Sequence, residues 1–83
     1  MQVIYETTFE EWVERRHPST EQQLRVLDFL AEIADDTIEL DQLVQVPNSS
    51  AFQAQLTVGA EVILVELLRG YTDWCVVSYI GVG

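Results

Sequence analysis

Hydrophobic positions change their spacing near the middle of this chain, recurring at helical intervals before about residue 36 and at strand intervals after residue 51. Gln2 to Tyr5 is rich in β-branched and aromatic residues and predicts a short strand. Thr7 followed by Glu10 has the spacing of a capping box, in which a hydroxyl accepts from a first-turn amide and the carboxylate reaches back to the cap. Behind it Phe9, Trp12, Val13 and Arg16 fall at i, i+3, i+4 and i+7, so the aromatics and the valine share a face while Glu10, Glu11 and Glu14 point elsewhere. Pro18 ends this helix, because the residue before a proline is pushed out of the α region, and His17 sits at the break as an exposed or capping residue.

Ser19 with Gln22 is a second capping box, opening a helix predicted over Thr20 to Asp35. At 100° per residue, Leu24, Val26, Leu27, Phe29, Leu30, Ala31, Ile33 and Ala34 spread over roughly 220°, more than one buried stripe requires. The width predicts contact on two sides of the helix. The remaining arc carries Glu21, Asp28, Glu32, Asp35 and Asp36, with Arg25 as its one cation, and forms a narrow anionic ridge. Glu21 and Arg25 stand at i, i+4 and are expected to pair. Acids late in a helix oppose its dipole at a cost of about a few tenths of a kcal/mol each. A solvated charged face is the plain explanation of the ridge, and its unpaired acids are what suggest binding.

Asp36 or Thr37 then caps a short helix through Ile38, Leu40, Leu43 and Val44, although Ile38 to Leu40 and Leu43 to Val46 also fit an extended chain. Pro47-Asn48-Ser49-Ser50 reads as a loop. Phe52, Ala54, Leu56 and Val58 alternate with Gln53, Gln55 and Thr57, giving a strand with one wet face. After Gly59-Ala60, the run Glu61 to Leu68 is apolar on both faces and predicts a central strand, followed by a turn through Arg69 to Asp73 and a last strand over Trp74 to Ile80. Short connections favour an antiparallel meander. The expected fold class is α+β, one domain over residues 1–83 in the order β-α-α-(short α)-β-β-β, with the helices packed on one face of an antiparallel sheet.

Charge adds a bias to this frame. The chain has no lysine, and its 4 arginines face 14 Asp and Glu residues, for a formal charge of -10 on 83 residues. Glu61, Glu66 and Asp73 are the acids of the strand half; the others precede residue 42. Such a surface repels nucleic acid and anionic membranes and steers toward basic partners. A hydrophobic content of 48% is too high for disorder. At this length folding buries roughly 60 to 65% of the unfolded surface, a marginal core that a homodimer would help. Cys75 has no second cysteine to pair with, and the start at Met1 lacks a basic and apolar secretory segment, so a cytoplasmic location is expected. The longest apolar run, Val62 to Val65, falls far short of the roughly 20 residues that span a bilayer.

Candidate chemistry is sparse. His17 stands at a helix break and Cys75 within a strand, with no spacing that sets one against the other or builds a transition-metal site. Asp35, Asp36, Glu39 and Asp41 lack the spacing and glycine of a calcium loop, and all four glycines follow residue 58, away from any helix start that would cradle phosphate. No catalytic residue, cofactor or metal is therefore expected. Among the aromatics, Phe9, Trp12, Trp74 and Tyr79 are assigned to the core, and Tyr71, in a turn beside Gly70 and Asp73, is the candidate exposed contact.

In layout the chain resembles the RelE/ParE toxin superfamily, bacterial proteins of toxin–antitoxin modules built as a strand, two helices and a curved antiparallel sheet. The likeness lies in Val3-Ile4-Tyr5 followed by Thr8-Phe9, in the helix entered through Ser19 to Gln23, in Leu56-Thr57-Val58-Gly59 leading into Val62 to Glu66, and in Val77 to Gly81 as last strand. The resemblance implies that fold and, in the ribonuclease members, messenger RNA cleavage by basic and aromatic residues. Here the basic residues are missing: Arg69 is the one arginine next to the sheet strands, and the chain closes on Gly81-Val82-Gly83. Binding RNA at -10 would oppose the dominant electrostatic term in nucleic-acid affinity.

The leading expectation is a non-enzymatic acidic protein that docks Glu10, Glu11, Glu14, Glu21, Asp28, Glu32, Asp35 and Asp36, with Tyr71, on a basic protein surface, as immunity proteins, antitoxins or phage anti-defence proteins do. A prokaryotic or phage source is assumed by that expectation. The alternatives are a divergent RelE/ParE-like toxin acting through Arg69, Tyr71, Tyr79 and His17, and an acidic homodimeric domain with no charge-based partner.

Overall fold

The computed structural model describes residues 2–35, 37–38, 43–70 and 73–82, with only the backbone of 77 and 80–82. Strand β1 spans Gln2–Tyr5, helix α1 Phe9–Arg16, helix α2 Thr20–Ala34, and strands β2 to β5 span Val44–Gln45, Ala51–Val58, Glu61–Arg69 and Asp73–Val82. The five strands form one sheet in the order β1-β5-β4-β3-β2, with β4 at its centre as predicted. The α+β class and the meander of β3, β4 and β5 agree with the sequence pattern.

Local chemistry accounts for the element ends. Helix α1 is capped by Thr8, one residue later than the spacing suggested: its hydroxyl accepts from the Glu11 amide at 3.2 Å. The shift has a cause in the sheet, since the amides of Glu6 and Thr7 both donate to the Val76 carbonyl and hold Thr7 at the end of β1. The helix closes on His17 in the left-handed region, φ 49°, ahead of Pro18. The second capping box forms as predicted, Ser19 accepting from the Gln22 amide at 3.2 Å while Gln22 accepts from the Ser19 amide at 2.8 Å. The Gln22 side chain also donates to Glu61, tying the start of α2 to the β3–β4 turn. That turn has two residues, Gly59 at φ +59° followed by Ala60, the arrangement of a type II′ hairpin.

Two expectations are corrected. Val44 and Gln45 are extended and pair antiparallel with Gln53 and Phe52, so the segment that a short third helix was expected to finish ends as an edge strand. Thr37 and Ile38 are in neither helix nor strand, and residues 39–42 lie outside the described ones. The sheet is also not antiparallel throughout, because β1 runs parallel to β5, Val3 opposite Trp74 and Ile4 opposite Cys75. Two helices return the chain across one face before β2, which leaves β1 to join the sheet beside its last strand.

The core lies between that face and the helices. It contains Trp12 of α1, Val26, Phe29, Leu30 and Ile33 of α2, and Ala54, Leu56, Ile63, Val65, Leu67, Trp74, Val76 and Tyr79 of the sheet. Trp74 and Val76 are two residues apart, but Tyr79 follows after three. A register shift between Glu66 and Leu67 leaves one extra β5 residue opposite that step, so Tyr79 returns to the helix side. The opposite face carries Val62, Leu64, Glu66 and Leu68 of β4 beside Ile4, and among the described residues no element covers it. No described helix is long and apolar enough to cross a membrane.

Candidate protein-binding face

The wide apolar arc of α2 divides into two unlike sides. Val26, Phe29, Leu30 and Ile33 are buried against the sheet, whereas Leu24 is 57% exposed, Leu27 44% exposed, and Ala31 and Ala34 are exposed as well. Contact on two sides was the expectation from the sequence, and among the described residues the chain covers only one. Helix α1 has 8 residues against the 15 of α2 and packs on the sheet through Trp12, stacked on Tyr79, leaving the Leu24 and Leu27 flank of α2 exposed.

A cleft of about 420 Å³ marks where that cover is lacking, with Tyr5, Phe9 and Glu10 on one side and Leu27, Ala31 and Ala34 on the other. Its walls are mainly aromatic and aliphatic. Tyr79 is 5% exposed, stacks on Trp12 with ring centroids 5.4 Å apart, and has a buried hydroxyl with no hydrogen-bond partner. Burial holds the Tyr79 phenol well above the ordinary tyrosine range, and the nearby Tyr5 and Glu10 push it further the same way. Both of those neighbours line the cleft, whereas Tyr79 itself does not. Tyr5, 39% exposed at the rim, is raised in turn by burial and then by Glu10.

Beside the apolar row runs the acidic one. Glu21, Asp28 and Asp35 recur every seventh residue, which sets them about 10.5 Å apart along nearly one line of the helix. All three are exposed, as are Glu10 and Glu14 of α1. Glu11 is half-buried and occupied locally: it accepts from the Thr8 hydroxyl at 3.2 Å and makes, at 3.8 Å to Arg15, the one ion pair among the described residues. The pair expected between Glu21 and Arg25 is therefore not formed. Arg25 instead lines a second recess with Phe29 and Glu32, on the side of α2 away from Tyr5. Glu32 thus stands off the main row, while Asp36 and Tyr71 lie outside the described residues.

Of the residues considered for toxin-like chemistry, the described ones, His17, Arg69 and Tyr79, are placed in unlike surroundings. His17 is an exposed helix cap, Tyr79 is buried, and the Arg69 guanidinium lies 5.5 Å from the Trp74 ring centroid. In the β4–β5 register Arg69 is opposite Trp74 and Tyr79 is opposite Val65, four residues along the strand, or about 13 Å. Among the described residues no group of three or more His, Cys, Asp and Glu side chains is placed to hold a metal ion.

Sequence reasoning located the acids and missed the cleft. Tyr5 lies in β1 as its sequence predicts, and the width of the apolar arc predicts a second contact side for α2 without saying what Leu24, Leu27, Ala31 and Ala34 would meet. A usable signal was present, since Leu24 and Ala31, like Leu27 and Ala34, are seven residues apart and parallel the acidic row. Searches against protein-family models, curated proteins and solved structures find no match to this chain.

Proposed function

We propose that the protein is a non-enzymatic acidic binding protein that presents its helical layer to a basic surface on another protein. The observation carrying this proposal is the unneutralised line of Glu21, Asp28 and Asp35, joined by exposed Glu10 and Glu14, on a chain whose net charge is -10. A solvated face needs neither the common row nor the lack of pairing, and acids near the end of α2 weaken that helix, where no basic residue occupies the last turn. Opposite Lys and Arg groups, the carboxylates would form charge-assisted hydrogen bonds and accelerate association at low salt. An inhibitor or mimic occupying the basic groove of a nucleic-acid-binding protein is the type of role such a face suits.

The test is capture from a host extract at low ionic strength, followed by salt elution and a parallel capture with the E21Q/D28N/D35N variant. High-pI proteins should be retained, released by about 0.5 M salt, and lost with the variant. Retention that ignores both salt and the three substitutions would contradict the proposal.

A further inference from the structure

The row of acids has a neighbour with the same period. Leu24, Leu27, Ala31 and Ala34 follow the spacing i, i+3, i+7, i+10, which is the a and d pattern of a coiled-coil seam over two heptads. On that count Glu21, Asp28 and Asp35 all occupy e positions, the flank that sets partner choice through interhelical charge. The seam is exposed, and the cleft beside it is walled by Tyr5 and Phe9. From Leu24 to Ala34 it runs about 15 Å, the length over which a helix of two to three turns presents anchors at i, i+3 or i+4, and i+7. Small residues at two of the four seam positions allow another helix to approach closely at the end bordering the cleft.

We propose that this seam and cleft receive an amphipathic helix of a basic partner, with aliphatic side chains seated along Leu24, Leu27, Ala31 and Ala34 and with Lys or Arg facing Glu21, Asp28 and Asp35. The inference rests on the proposed function and specifies the partner's shape as well as its charge. Glu10 on the far wall of the cleft provides a second anionic edge, so a helix seated there meets carboxylates on both flanks. A second copy of this chain fits poorly. Antiparallel pairing of two α2 seams would set the acidic e row against itself, and parallel pairing would set it against Gln23 and the buried Leu30, neither of which is cationic.

Three labelled peptides of about 18 residues, long enough to form a helix on binding, provide the test by fluorescence anisotropy. The first has Leu at a and d with Lys at most other positions; the second has the same composition, scrambled so that no face is apolar; the third keeps the leucines and replaces Lys by Gln. The seam peptide should bind at least about tenfold more tightly than the scrambled one, and the L24Q/L27Q variant, which leaves the charge unchanged, should remove that advantage. Because both leucines are exposed, the variant should keep the circular dichroism spectrum and melting profile of the parent. Equal binding of seam and scrambled peptides overturns the helix-in-cleft inference while leaving the acidic-face proposal standing. Binding of the Gln peptide as tightly as the Lys peptide, without salt dependence, overturns the acidic-face proposal and the charge half of this one. Failure of all three to bind overturns both. Self-association of the parent that L24Q/L27Q abolishes would assign the seam to a second copy and overturn the inference.

Discussion

The two sides of α2 are built from similar residues and face opposite fates. Phe29, Leu30, Val26 and Ile33 close the core, while Leu24, Leu27, Ala31 and Ala34, a fraction of a turn away, face solvent next to a row of carboxylates. The comparison shows that an apolar arc too wide for its sheet contact can belong to two interfaces, one made within the chain and one left to be made. Exposed apolar side chains are ordinary when scattered. Here they keep a seven-residue period, border a cleft, and share their flank with acids that have no ion-pair partners among the described residues.

The largest expected contrast is in stability. Phe29→Ala should cost about 3 to 5 kcal/mol because it opens a cavity beneath α2, enough to unfold much of a domain this small. Leu27→Ala on the exposed side should stay within about 0.5 kcal/mol, and urea denaturation compares the two directly. Similar losses would mean that Leu27 packs within the chain and that the two sides are not distinct.

A second contrast concerns Tyr79 in the core. Its raised pKa means that the folded state keeps a phenol proton that the unfolded chain releases above about pH 10, so this contribution is present at neutral pH and lost as pH rises past the ordinary tyrosine value. Stability of the parent should fall above that pH, and Tyr79→Phe should flatten the fall. At neutral pH the same substitution removes a buried hydroxyl with no partner, so it should be neutral or stabilising by up to about 1 kcal/mol. A loss larger than 1 kcal/mol in the phenylalanine variant would reveal a partner for the hydroxyl.

Next comes the cap. Ser19→Ala should cost about 1 kcal/mol by leaving the Gln22 amide without its acceptor, a loss seen in urea titration and insensitive to salt. The smallest effect belongs to the acidic row. Asp35→Asn at the end of α2 should stabilise the free protein by about a few tenths of a kcal/mol through relief of the dipole, while weakening any basic partner. Stability and binding thus move in opposite directions at Asp35, whereas at Glu21, an acid in the first turn of α2, neutralisation should lower both; a merely solvated face would show the stability changes alone.

Much of the fold is legible because local signals agree with one another. Ser19 and Gln22 specify the start of α2, Pro18 separates the helices, and the alternation of Phe52 to Val58 gives the face of β3 that packs on the core. What misled is what depends on long-range pairing. The amides of Glu6 and Thr7 are drawn to Val76, which moves the α1 cap by one residue, and the pairing of Val44 with Gln53 makes a strand of residues whose spacing also suited a helix. For the candidate site, the acids are visible in the sequence, and so is the excess width of the apolar arc, but not which of its residues stay exposed. Periodicity tells which residues share a side of α2, but only the course of the short α1 decides whether that side is covered.

Mapping the bound seam peptide by backbone amide chemical shifts tests the central claim most directly, because the α2 flank and the sheet face that the described residues leave uncovered compete in one experiment. The account predicts shifts at Leu24, Leu27, Ala31 and Ala34, at Tyr5 and Phe9 across the cleft, and at Glu21, Asp28 and Asp35, with those shifts suppressed by salt. Shifts confined to the uncovered sheet face, at Ile4, Val44, Leu64 and Leu68, would contradict it.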